Sequence, residues 1–349
     1  MDATGVKGRG AVSNPAGRFE RFAHAPDPAP AEGRRTVVAA DRSRTIIATN
    51  TSPDVGFDRS LNPYRGCEHG CIYCYARPGH AYLGLSPGLD FETHLFAKHD
   101  AALRLEEAFA RKGYAPAVLQ LGGVTDGYQP IERRFEISRR LLEVLLAWRH
   151  PVRIVTKSAT ILRDLDLLQA LAADDLVAVD LSVTTLDAAL ARKLEPRAST
   201  PGKRLQAVAD LAAAGVPVGV SVAPVIPGLT DHEVERIVEA AARAGARHAS
   251  YVLLRLPLEL ATLFDEWLQT HVPDRRDRIL SLLRQSRGGK LNDPRFGHRM
   301  TGSGPIADLI RQRFHLARKR HGLAHRDTTP LRTDRFAPPG SSQQGDLFG

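Results

Sequence analysis

Two hydrophobic rhythms alternate along the chain. Runs rich in β-branched and small apolar residues recur at 116–126 (PAVLQLGGVTD), 151–158 (PVRIVTKS), 176–185 (LVAVDLSVTT), 216–228 (VPVGVSVAPVIPG) and 248–257 (HASYVLLRLP). Between them, at 100–113, 133–150, 202–215 and 230–245, apolar residues return every three or four positions. The short continuous runs predict strands buried on both faces, and the slower rhythm predicts amphipathic helices. Strand followed by helix implies a parallel sheet covered by helices. A short strand just ahead of residue 67 brings the count to six βα units. Six are too few for a closed eight-fold barrel, so the predicted fold class is α/β, a partial (β/α)6 barrel with mainly parallel strands. Chemistry in such folds belongs to the loops after the C-terminal ends of the strands. Those ends carry Thr125 and Asp126, Lys157 and Ser158, Ser182 and Thr184, and Pro224.

The flanks lack both rhythms. Residues 1–36 are rich in Pro, Gly, Ala and charge, and they predict a disordered tail ahead of a core domain at 37–300. Residues 301–324 predict a basic amphipathic helix, capped by Ser303 or Gly304 with Pro305 in its first turn. Ile306, Ile310, Phe314 and Ala317 form one stripe, which docks the helix on the barrel. The other face holds Arg311, Arg313, Arg318, Lys319 and Arg320. Residues 325–349 predict a flexible tail.

Composition narrows the class. Apolar residues make up 43% of the 349 and charged residues 25%, ordinary for a globular protein. No apolar run approaches the roughly 18–20 residues of a membrane span, and no signal peptide is visible, so a cytoplasmic protein without membrane association is expected. The formal net charge is +9. Residues 287–335 hold 12 Lys/Arg against 4 Asp/Glu, a net of +8. A polyanionic partner and a merely solvated basic face both account for that excess.

All three cysteines, Cys67, Cys71 and Cys74, fall in NPYRGCEHGCIYCYARP (62–78). An odd, clustered set argues against a disulfide framework. A zinc site takes four ligands, and here a histidine such as His69 or His80 would have to complete it. A [4Fe–4S] cluster has four irons, and three thiolates would leave one open to an exogenous molecule. Gly66 and Gly70 let the backbone wrap closely around a cluster. Arg65 and Arg77 flank the loop and would offset thiolate charge.

The spacing C-x3-C-x2-C, with aromatic Tyr73 before the last cysteine, resembles the signature of the radical S-adenosylmethionine (SAM) enzymes. The likeness extends to a spore photoproduct lyase-related, DNA repair photolyase-like subgroup of that superfamily. It is carried by NPYRGCEHGCIYCYARP, GVTDGYQPIE (123–132), IVTKS (154–158), LSVTTLD (181–187) and LEPRASTPGKRLQAV (194–208), and it spans about residues 40–300. The resemblance implies a six-unit partial barrel. It implies that Cys67, Cys71 and Cys74 bind three irons of a [4Fe–4S] cluster and that SAM occupies the fourth. A reductant protein of the flavodoxin or ferredoxin type would supply the electron that releases a 5′-deoxyadenosyl radical. Gly122, Gly123, Thr125 and Asp126 stand where the family binds the methionine amino group. Lys157, with Ser158 beside it, would pair with the carboxylate. Ser182, Thr184 and Arg197 are candidates for the carboxylate or ribose. Tyr73 would place its backbone near adenine, and Val225 with Ile226 would wall the ring.

In the lyase a tyrosine works with a fourth cysteine to return a hydrogen atom. This chain has no fourth cysteine, and glycine and valine stand in that region. The resemblance then leaves Tyr75 or Tyr128 to relay a hydrogen alone, or the radical to act on a different substrate. The absence of further cysteines also argues against an auxiliary iron–sulfur cluster, since thiolates usually hold one. The implied function is radical chemistry on nucleic acid. The alternatives are RNA, peptide or small-molecule modification, and a non-catalytic iron–sulfur or zinc module that binds DNA. The terminal QGDLFG resembles the peptide that docks repair proteins on the bacterial sliding clamp, with Gln344, Leu347 and Phe348 as its anchors.

Overall fold

A computed structural model of the chain describes residues 7–19, 35–324 and 330–340. Its strands are β1 (Val37–Ala40), β2 (Ile47–Thr49), β3 (Arg59–Leu61), β4 (Tyr64–Arg65), β5 (His94–Ala97), β6 (Leu119–Leu121), β7 (Val152–Thr156), β8 (Val177–Ser182), β9 (Val218–Val225) and β10 (His248–Leu253). The helices are α1 (Asp90–Thr93), α2 (Ala101–Phe109), α3 (Glu132–Phe135), α4 (Ile137–Ala147), α5 (Leu165–Ala173), α6 (Ala188–Leu194), α7 (Pro201–Ala213), α8 (Val234–Arg243), α9 (Leu260–His271), α10 (Arg276–Gln285) and α11 (Pro305–Arg320).

The main sheet has seven strands in the order β10-β9-β8-β7-β6-β3-β2. Six of them, β3 and β6 to β10, run parallel, and β2 pairs antiparallel with β3. This is the six-unit architecture expected, with an open seam between β10 and β2. Alternation sets the two faces of each strand. Val152, Ile154 and Thr156 of β7 are buried, while Arg153, Val155 and Lys157 on the other face keep partial exposure.

Local chemistry fixes the helix boundaries. Asp187 caps α6 by accepting from Ala189 N and Leu190 N, and Thr200 caps α7 ahead of Pro201. The single helix expected over 133–150 is two. Glu136 adopts φ 49° between α3 and α4, and the Glu132 carboxylate accepts from Ile137 N and Ser138 N at 3.0 Å each. Those two bonds satisfy the donors that the break exposes. Gly304 precedes α11 and Pro305 opens it; Ile310, Phe314 and Ala317 are buried, as the stripe required. Arg313 does not stay on the solvated basic face, because Glu235 of α8 takes its Nε at 2.6 Å, and Arg311 on that face pairs with Asp308 at 2.5 Å.

Three features escaped the sequence reading. A small sheet, β1-β5-β4, packs beside the cysteine loop. Residues 7–19, expected to be part of a disordered tail, are seated on that loop: Gly10 N and Ala11 N both donate to the Glu92 carboxylate at 2.9 Å, and Ala11 is buried. Residues 330–340 return to the barrel wall, where Phe336 meets Phe109, Tyr114, Trp148 and His150. Each segment is too short to show a period and is held by tertiary partners. Gln344, Leu347 and Phe348 lie outside the described residues.

Candidate active site

The cysteine loop follows β3 and β4 and is built on one buried guanidinium. Arg77 donates to Cys71 O at 2.9 Å, to Gly70 O at 3.1 Å and to Gly88 O at 2.9 Å, and it pairs with Glu92 at 2.5 Å. Arg77 is therefore the loop's scaffold, and it also lowers the Cys74 thiol against the upward push of burial. Arg65 turns away to Asp41 and Ser43. Gly66 and Gly70 have φ of 72° and 68°. A Cβ on Gly70 would lie 2.6 Å from Glu92 Oε2, and one on Gly66 2.5 Å from Leu95. The close approach these glycines permit is thus to the small sheet and α1.

Cys67 and Cys71 are buried, Cys74 is half-buried, and all three are free thiols. Burial raises all three above the usual thiol range. For Cys67, Asp126 and then the other two thiols add to that rise; for Cys71, Glu195 adds and Lys157 opposes. The three thiols are thus close enough to raise one another, with Asp126 near Cys67 and Glu195 near Cys71. Such a donor set suits a multivalent soft cationic centre, and a [4Fe–4S] cluster fits it. The two histidines considered for zinc have other partners. His69 Nδ1 is 3.3 Å from Asp126, and His80 Nε2 is 3.0 Å from His94 O.

Beside the thiols stands a buried polar wall. Glu195 pairs with Arg204, accepts from the Tyr73 hydroxyl and from Thr184 Oγ1 (2.6 Å), and lies 3.4 Å from Lys157 Nζ. Lys157 also donates to Ala223 O at 3.0 Å and stands 5.6 Å from the Tyr73 ring centroid. Burial lowers its pKa to about 8 although Cys71 pulls it up. Arg204 holds Ser182 O at 2.8 Å and Ser199 O at 2.7 Å, tying the end of β8 to the start of α7. The structure thus brings Tyr73, Lys157 and Thr184 together and places Ser182 beside them. Val225 and Ile226 are buried at the end of β9. Sequence reasoning missed Glu195 and Arg204; two opposite charges inside LEPRASTPGKRL were the available signal.

Other expected residues have different tasks. Asp126 accepts from Thr156 Oγ1 at 2.7 Å and from the backbone N of Lys157 and of Tyr128 at 2.8 Å each. It braces the ends of β6 and β7. Burial alone would raise its pKa, yet His69 and those donors hold it below the usual carboxylate range. Thr125 Oγ1 donates to Tyr64 O. Gly122 (φ 87°) turns the chain where a side chain would strike Val155 O, and Gly123 O accepts from the Tyr75 hydroxyl. Ser158 caps the turn that follows β7. Arg197 reaches Glu68 at 2.8 Å, away from the Lys157 group. With His69, Arg133, Ser158, Thr200 and Lys203 it lines a hollow of about 350 Å³ behind the cysteine loop. Tyr128 is not open to a relay: it is buried, and its hydroxyl donates to Asp164 at 3.1 Å. Tyr75 is half-exposed, and the Arg255 guanidinium lies 5.5 Å from its ring centroid.

An open α/β half-barrel thus carries three clustered thiols beside a part-buried lysine at its strand ends. Residues 61–241 match the Radical SAM superfamily, and the chain belongs to it. Members use a [4Fe–4S] cluster and SAM, so those are its cofactors. An uncharacterized protein of Mycobacterium tuberculosis is 35% identical over 231 residues, 66% of this chain and 68% of that one. An uncharacterized protein of Methanocaldococcus jannaschii is 27% identical over 176 residues, 50% of this chain and 62% of that one. Among solved structures, spore photoproduct lyase complexed with dinucleoside spore photoproduct matches with a TM-score of 0.59 at 16% identity, over 82% of this chain and 80% of that one. A variant of the same lyase with bound AdoMet and the dinucleoside matches at 0.58 with the same coverage. These likenesses share the fold. No helix among the described residues is long and apolar enough to cross a membrane.

Proposed function

We propose that this enzyme directs its radical chemistry at a nucleic acid, with Tyr75 relaying a hydrogen atom to the substrate radical and regaining an electron from the reductant protein and a proton from solvent. Bound together, the cluster and SAM supply reductive cleavage of the sulfonium and a 5′-deoxyadenosyl radical. The chain's own residues do the rest. Lys157 pairs with the methionine carboxylate, and Glu195 with Arg204 holds Lys157 and Tyr73 in position. Ser182 and Thr184 hydrogen-bond the carboxylate or ribose. Gly122 and Gly123 offer backbone to the amino group from a strand end that Thr125 and Asp126 brace. Val225 and Ile226 give adenine an apolar surface that excludes water.

One observation carries the reading. Tyr75 follows the ligand Cys74 directly, and its hydroxyl rests on Gly123 O in a half-exposed position. A phenol so placed serves as a hydrogen relay in a chain without a fourth cysteine. Two observations support nucleic acid as the substrate: the net charge of +9, and a fold likeness to an enzyme seen complexed with a dinucleoside photoproduct. A reductant protein of the flavodoxin or ferredoxin type would meet the hollow lined by His69, Arg133, Arg197 and Lys203, where an acidic partner finds complementary charge. A reducing cytoplasm would keep the thiols available.

Anaerobic turnover with deuterated nucleic-acid candidates tests the reading. Deuterium transferred from a nucleic acid into 5′-deoxyadenosine is the expected result; Tyr75→Phe should keep that transfer and lose the hydrogen return that completes the product. Transfer only from peptides or small molecules refutes it. Docking on the sliding clamp through Gln344, Leu347 and Phe348 belongs to the same proposal. Alanine at Leu347 and Phe348 should abolish capture on immobilised clamp, and undiminished capture would remove the tail from the account.

A further inference from the structure

Arg255 differs from the other arginines of the seam. It lies just past β10 and is part-buried, yet among the described residues none accepts a hydrogen bond from its guanidinium, which lies 5.5 Å from the Tyr75 ring centroid. Burial lowers its pKa first and the charge of Arg299 second, and the weaker upward pull of Tyr75 and Asp54 offsets them only in part. Arg299 is already neutralised, with Nε on Asp54 at 2.5 Å and Nη2 on Ser52. Arg295 is paired with Asp293.

The placement of Arg255 is built in. Buried Arg287 donates to Leu253 O at 2.6 Å, to Leu254 O at 2.9 Å and to Arg299 O at 2.9 Å. One guanidinium thus clamps the backbone just before Arg255 to the segment near residue 299. Leu253 N donates to Met300 O, and Gly297 N donates to Asp54 Oδ1 at 2.7 Å, so this segment bridges from β10 to the loop between β2 and β3. It also carries Phe296, which is 58% exposed and has the Arg299 guanidinium 4.8 Å from its ring centroid.

A part-desolvated guanidinium without an acceptor loses hydration and gains nothing from the protein, so an incoming anion stabilises it. The SAM carboxylate has Lys157, which acts on Cys71 and Cys74; Arg255 instead covers the half-exposed ring of Tyr75. A planar fork suits a phosphodiester. An exposed aromatic ring close to a cation is what a strand with unstacked bases uses. We infer that Arg255 and Phe296 form a substrate subsite for an unpaired nucleotide strand, in which Arg255 binds the phosphodiester next to the reacting nucleotide and Phe296 stacks a flanking base. This subsite rests on the nucleic-acid reading above.

The test uses full-length, anaerobically reconstituted protein and a fluorescein-labelled single-stranded oligothymidylate of ten nucleotides. Anisotropy is followed as a function of salt. Cluster absorption and circular dichroism establish that each variant is folded. Arg255→Gln should weaken binding about tenfold and reduce the steepness of the log–log salt dependence by about 0.7, the value for one phosphate on a single strand. Arg255→Lys should keep that slope. Phe296→Ala should weaken binding by about 5- to 150-fold, the range for one base stack, with the slope unchanged, and Phe296→Trp should retain binding. Wild-type binding that Arg255→Gln matches in affinity and slope overturns the subsite and leaves the nucleic-acid reading standing. No binding by the wild-type protein overturns both.

Discussion

Glu195 is where the architecture of the site can be measured as stability. The Glu195→Ala substitution leaves Arg204, itself buried, facing Lys157 without a shared counter-charge. Removing one partner of a buried pair costs about 3–5 kcal/mol. Arg204 keeps Ser182 O and Ser199 O, and Thr184 keeps Ala223 O at 2.8 Å, so the loss should fall at about 3 kcal/mol, the lower end of that range. Glu195→Gln retains an oxygen for Tyr73 and Thr184 and loses only the charge. It should cost about 1.5–3 kcal/mol, the range for a hydrogen bond to a charged group. Against a total stability of about 5–15 kcal/mol, either change is large. Replacing both residues, as Glu195→Leu with Arg204→Leu, exchanges the pair for apolar volume and should be more stable than Glu195→Ala alone. Urea unfolding of the cluster-free chain under reductant reads the midpoint, and an unchanged m-value confirms that stability alone moved. A Glu195→Ala loss below about 1 kcal/mol would refute the reasoning, as would a double replacement whose cost equals the sum of the single ones.

Alanine at any one of Cys67, Cys71 or Cys74 should abolish stable cluster binding; full iron content with unchanged visible absorption in such a variant would contradict the ligand assignment. Lys157→Ala should weaken SAM binding by about 1.5–3 kcal/mol in an equilibrium titration, and unchanged affinity would exclude Lys157 from the cofactor site. Gly70→Ala should cost at least about 1–2 kcal/mol from its left-handed φ, because the new Cβ also meets a carboxylate held by Gly10 N, Ala11 N and Arg77; a melting temperature equal to wild type would count against that packing. His80 and His150 are buried neutral, and burial lowers each pKa to about 4. Between about pH 6.5 and 4 the unfolded chain takes up these protons and the folded chain does not, so stability should fall as pH drops through that window, by up to about 3 kcal/mol for each histidine. A flat unfolding free energy from pH 7 to 4 would refute it.

The order of strands and helices, the open six-unit barrel and the clustering of the three thiols were legible in the chain itself, because period and short-range spacing are local properties. Continuous apolar runs such as 176–185 mark strands buried on both faces wherever they pack, and three thiols in eight positions are close in space whatever surrounds the loop. Lys157, Thr184 and Tyr73 could be named from strand ends and motif, but not the carboxylate that joins them. Glu195 and Arg204 come together because α6 and α7 fold back against β8, and no periodicity encodes that return. Tyr75 and Tyr128 look equivalent as residues; burial alone separates them, one half-exposed beside Arg255 and the other locked to Asp164. Asp126 reads as a ligand and acts as a brace, since three donors from neighbouring segments reach it first. Residues 7–19 and 330–340 carry too little pattern to predict order, and they are seated by long-range partners such as the Glu92 carboxylate and the aromatic cluster around Phe336. Long-range partners fix what each of these side chains can do, and those partners are supplied by the packing of segments far apart in sequence.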